Sequence, residues 1–143
     1  MPVERVPMSE DLKTRIKRHE GFCATPCRDA HGFSIGFGHF LGRSGAGFKI
    51  SRAVADKILD EDIHTATYEI SSLGFEWLSQ TRMEVLVEMS YNLGFPRFLT
   101  FKKMLAALEA QDYNMAADEM LDSKWHEQVK GRAETLAEIM RTG

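Results

Sequence analysis

Residues 28–50 read RDAHGFSIGFGHFLGRSGAGFKI, and six of those positions are glycine. Within the stretch Phe33, Ile35 and Phe37 alternate with Ser34, Gly36 and Gly38. A period of two marks a half-buried strand, and the glycines around it supply turns, so the stretch predicts a small β-hairpin or three-strand sheet. The alternation puts Ser34, Gly36 and Gly38 on one face, where the missing side chains let a ligand approach the backbone.

Upstream the periodicity changes. Ser9 is placed to cap a helix, Glu10 and Asp11 follow in its first turn, Leu12 and Ile16 recur at helical spacing, and Gly21 is a stop. These signals predict a helix over about residues 10–20. Leu12, Ile16 and Glu20 fall at i, i+4 and i+8, so Glu20 shares the apolar stripe and also occupies the negative end of the helix dipole. Desolvation and that dipole both disfavour a carboxylate and raise its pKa, and a carboxyl that keeps its proton can give it to a leaving oxygen. Asp29 follows nine residues later, across a turn that Pro26 favours. A glutamate, an aspartate and the Ser34 hydroxyl around one small sheet make a candidate hydrolytic site. On spacing alone, a glycine-rich hairpin after a solvated terminal glutamate reads the same way.

Downstream, Ser51 is placed to cap a long helix over about 51–73. Val54, Ile58, Ala66 and Ile70 form one stripe, with Ala55, Leu59 and Ile63 beside it, and no breaker occurs before Gly74. This segment is also the most acidic, which suits a strut between two lobes. The remainder reads as helical. Met83–Leu93 is apolar on nearly all sides and predicts a buried helix ended by Gly94 and Pro96. Thr100 is placed to cap a helix carrying Phe101, Met104, Leu105 and Leu108, and Asp112 to cap another carrying Met115, Ala116 and Met120. Two shorter helices are expected around Trp125 and over Arg132–Met140. Trp77 and Trp125 are expected in the core, with the eight methionines mostly filling gaps. The fold class is therefore α+β with a helical majority: one domain over 1–143, made of a helix-and-β lobe (about 10–50), the connecting helix (about 51–73) and a helical lobe (about 74–143).

Bulk properties narrow the function classes. The 43% hydrophobic and 27% charged shares are those of a soluble globular protein. The net charge of −3 is unevenly spread: residues 1–50 carry 8 basic against 5 acidic side chains, and residues 51–80 carry 2 against 6. The basic bias favours an acidic polymer, but no basic run with interleaved aromatics points to nucleic acid. No apolar run reaches the roughly 20 residues of a membrane span, and no signal peptide is expected at the N-terminus. The chain should then accumulate in the cytoplasm and need help to leave it. Cys23 and Cys27 read first as reduced structural thiols, with a disulfide closing a very small loop as the alternative. No metal site or cofactor is implied.

The block His19-Glu20-Gly21, then Asp29, then Gly32-Phe33-Ser34-Ile35-Gly36-Phe37-Gly38-His39 resembles the catalytic signature of the phage lysozyme family, glycoside hydrolase family 24. Met89–Gly94, Asp122–Trp125, Gly131–Ala133 and Arg141–Gly143 are similar to later family segments in the same order. The resemblance covers about residues 10–143. It implies a lysozyme-like two-lobed fold and hydrolysis, with inversion, of the β-1,4 bond between N-acetylmuramic acid and N-acetylglucosamine in peptidoglycan. By the same resemblance Glu20 is the general acid, Asp29 holds or activates water, and Ser34 helps place it. Phe40 and Tyr91 line the sugar cleft, Arg132 faces Glu20 across it, and His39 pairs with Asp62 on the long helix. Two departures, serine in place of threonine at position 34 and a gap from Asp29 one residue shorter, predict a looser water position. The implied biology is a monomeric endolysin for host lysis, held in the host cytoplasm until a holin releases it. The competing readings are a lytic transglycosylase, which needs only the glutamate, and a catalytically impaired lysozyme-like binding protein.

Overall fold

A computed structural model describes residues 10–29, 31–45 and 47–143. The chain divides into two compact units, residues 1–65 and 66–143, and the division falls inside a 20-residue helix.

The first unit begins with α1 (Leu12–Glu20). The expected cap Ser9 lies outside the described residues. Asp11 does the capping instead, its Oδ1 accepting the Thr14 N–H at 2.8 Å, an interaction worth about 1 kcal/mol. Gly21, at φ +74°, ends the helix and donates its N–H to the Lys17 carbonyl at 2.9 Å. Ile16 is fully buried.

Three strands follow, β1 (Cys23–Asp29), β2 (Gly32–Gly36) and β3 (His39–Gly42), in an antiparallel sheet of order β1-β2-β3. The predicted sheet is therefore present, with two corrections. Pro26 lies inside β1 rather than in a turn, and β1 is an edge strand of this sheet, where a missing N–H need not break a ladder. Cys23 and Cys27 are joined in a disulfide rather than reduced. Between these two residues the β1–β2 register shifts, and their Cα atoms lie 6.2 Å apart, a separation a disulfide spans.

The long helix α2 (Arg52–Ser71) starts where Ser51 Oγ accepts the Val54 N–H at 3.2 Å. Its buried face is Ala55, Leu59, Ala66 and Ile70, while Val54, expected on the stripe, is 46% exposed. Lys13 and Lys17 reach from α1 to Asp56 on α2 at 2.7 and 2.5 Å. Hydrogen bonds from these two ammonium groups pull the Asp56 pKa down to about 2.

The second unit is helical throughout its regular structure. It starts with the end of α2 and contains α3 (Gln80–Leu93), α4 (Phe95–Phe98), α5 (Lys102–Glu109), α6 (Tyr113–Leu121), α7 (Lys124–Val129) and α8 (Gly131–Thr142). Val85, Leu86, Val87 and Met89 are buried, as the all-round apolar pattern of α3 requires. Asp112 Oδ1 caps α6 through the Met115 N–H at 3.0 Å, as expected. Thr100 does not cap α5; its hydroxyl donates to the Arg97 carbonyl at 2.6 Å. Short α4 was not predicted, and Pro96 sits in its first turn, where proline is tolerated. Trp125 is buried, with Nε1 donating to Asn92 Oδ1 at 2.6 Å. Trp77 is 43% exposed and stands edge-on to buried Phe75, so only one of the two tryptophans is a core residue.

Candidate active site

Glu20 is the last residue of α1, and the chain turns at Gly21 straight into the sheet. Its carboxyl lies against Gly38, in the turn between β2 and β3. A Cβ on Gly38 would stand 2.5 Å from Glu20 Oε1 and 2.8 Å from its Cδ. Gly38 has φ +90°, a conformation that also excludes ordinary side chains. Two demands therefore meet at one glycine: the turn needs its φ, and Glu20 needs its missing side chain. Aromatic packing fixes the junction. Phe22 and Phe37 meet with ring centroids 5.3 Å apart, and each carries a cation: Arg52 4.3 Å from the Phe22 centroid, Lys17 5.0 Å from that of Phe37.

Asp29 stands at the other end of β2. It is the last residue of β1, pairs with Gly32, and is exposed. Its Oδ1 accepts the N–H groups of His31 at 2.8 Å and Gly32 at 3.1 Å, a local turn that holds the carboxylate at the hairpin tip. Ser34 is midway along β2, opposite Cys27 on β1 and Phe40 on β3. Residues directly opposite share a face, and so do residues two apart on a strand. Asp29, Ser34 and Phe40 therefore point to one side of the sheet. Phe40, which could have been core, is 56% exposed on that face. Glu20 therefore lies beyond one end of β2 and Asp29 at the other, with the Ser34 hydroxyl between them.

The predicted staple between sheet and long helix is present: His39 Nδ1 lies 2.7 Å from Asp62 Oδ2. Tyr91 and Arg132 belong to the second unit. Tyr91 is half-buried near the end of α3. Arg132 is 9% exposed and donates from Nε to Glu88 Oε2 at 3.0 Å, with Glu88 fully buried. Sequence reasoning missed this pair, although Glu88, set directly between the apolar residues Val87 and Met89, was the available signal. Among the described residues no group of three or more His, Cys, Asp or Glu side chains has metal-binding geometry. Among the described residues no helix is long and apolar enough to cross a membrane.

The phage lysozyme family model matches residues 17–141. The chain is 24% identical to a probable T4-type lysozyme of Dictyostelium discoideum, over 95% of this chain and 96% of that protein. It is 25% identical to a peptidoglycan hydrolase of Pseudomonas phage phiKMV, over 90% of this chain but 15% of that protein. A pre-baseplate central spike protein of Enterobacteria phage T4 is 26% identical over 90% of this chain and 27% of its own length.

Proposed function

Because the chain belongs to the phage lysozyme family, a family of peptidoglycan-cleaving glycoside hydrolases, we propose that it hydrolyses the β-1,4 bond between N-acetylmuramic acid and N-acetylglucosamine with inversion. The observation that carries this reading is the Glu20 carboxyl seated against Gly38, at the opposite end of β2 from Asp29. Glu20 donates its proton to the glycosidic oxygen as the C–O bond breaks. A water held by Asp29 and the Ser34 hydroxyl attacks the anomeric carbon from the opposite face and gives its proton to Asp29. The inverting mechanism needs the two carboxyls about 6.5–9.5 Å apart, with room for that water. Phe40, exposed beside Ser34, offers an apolar surface to a sugar ring.

The biological role that fits is host lysis, with the chain acting on the wall as a monomer once a holin opens the membrane. The decisive experiment is mass spectrometry of purified peptidoglycan digested by the protein. Reducing N-acetylmuramic ends are expected. Anhydro-muropeptides would assign a transglycosylase, and absence of cleavage by a folded sample would assign a binding protein.

A further inference from the structure

At the tip of the β1–β2 hairpin lies a pocket of about 400 Å³ lined by Arg28, Asp29, His31, Gly32, Phe33 and Arg43. Two guanidinium groups, an imidazole and a single carboxylate line it, with Arg28 and its cross-strand partner Phe33 on the opposite side of the sheet from Asp29 and Ser34. Among the described residues neither Arg28 nor Arg43 makes an ion pair. Arg28 lies over the Phe33 ring, 5.7 Å from its centroid, which braces the guanidinium without neutralising it. Asp29 spends Oδ1 on the backbone of the turn rather than on either arginine. The pocket thus holds more positive than negative charge, on a strand end that also carries the proposed water-handling residue.

We propose that this pocket is a subsite for a carboxylate of the peptidoglycan stem peptide, gripped by Arg28 and Arg43. The inference rests on the wall-hydrolase reading and deepens it by naming the part of the substrate that the hairpin tip recognises. Wall peptides carry free carboxylates, and the planar guanidinium fork matches a carboxylate in geometry as well as charge. A carboxylate docked there anchors a glycan strand at the hairpin tip without taking part in the chemistry. The pocket also gives the basic bias of residues 1–50 a location.

The test compares two preparations of one purified wall, native and with its carboxyls amidated by carbodiimide and ammonia. Amidation leaves any wall phosphodiesters intact. Sedimentation at 4 °C reads binding, and release of reducing ends reads kcat and KM. The wild type should bind native wall about tenfold more tightly, from charge-assisted bonds to two guanidiniums. Arg28→Gln with Arg43→Gln should raise KM on native wall by about the same factor and bring the ratio between the two walls near one, while the double lysine variant restores part of the preference. Equal binding of both walls by the wild type overturns the proposal. So does a native-wall preference that survives in the glutamine double variant, and strong binding to amidated wall would assign the pocket to phosphate. A wild type that binds native wall selectively but cleaves neither would sink the hydrolase reading and leave the subsite standing.

Discussion

Replacing Gly38 with alanine separates positioning of the acid from folding. The new Cβ would sit 2.5 Å from Glu20 Oε1, whereas ordinary contact begins near 3.4 Å, so the carboxyl must retreat by about 0.9 Å. A displacement of about 1 Å in a catalytic group costs roughly a hundredfold in rate. The φ of +90° adds a backbone cost of about 1–2 kcal/mol, or roughly 3–8 °C in Tm. Gly42→Ala is the matched control: its φ is +95°, but its Cβ would meet nothing within 4 Å. Both variants should lose similar stability. In an assay of reducing-end release run well below either Tm, only Gly38→Ala should lose about two orders of magnitude in kcat. If the two retain equal activity, the contact between Glu20 and the turn has no catalytic meaning, and the reasoning fails.

Three further outcomes follow from the packing. Reducing the Cys23–Cys27 disulfide, which links residues four apart, should lower stability by about 2 kcal/mol, read as a Tm difference with and without dithiothreitol; an unchanged Tm would show that the bulge holds without it. Glu88→Leu removes the buried carboxylate that Arg132 Nε bonds and should cost about 3 kcal/mol in denaturant unfolding, whereas a near-neutral result would mean the pair is dispensable. Asp56 has a folded pKa lowered from 3.8 to about 2, so its clamp contributes stability above pH 3.8 and loses it as pH falls toward 2. The Tm gap between wild type and Asp56→Asn should therefore close across that window, and a gap constant with pH would refute the clamp.

Local signals were strong where one residue had one job. Gly21 ends α1, Ser51 caps α2 and Asp112 caps α6 because each acts on backbone within a few residues. The alternation of Phe33–Gly38 revealed the sheet, and resemblance supplied the His39–Asp62 contact. Misses came where tertiary context chose between local options. Pro26 fits a turn or an edge strand, and only the pairing of β1 with β2 selects the strand. Cys23 and Cys27 are brought within bonding reach by an irregular register that no spacing rule encodes. Asp11 caps α1, and Thr100 bonds backward to the Arg97 carbonyl, leaving apolar Phe101 at the start of α5 with no side-chain cap. Of the site, Glu20, Asp29 and Ser34 were readable as residue types on a stripe and a strand. Their placement about β2, and the cationic pocket at the hairpin tip, required the sheet register.

The most direct test of the whole account is the rate of reducing-end release by Glu20→Gln beside the wild type, at equal concentration of folded protein. The variant keeps the size of the side chain and removes the transferable proton. Loss of a general acid costs about 10²–10⁴ in rate, so activity should fall at least a hundredfold with wall binding retained. A Glu20→Gln protein that cleaves peptidoglycan within a few-fold of the wild type would contradict the assignment of position 20 as the proton donor.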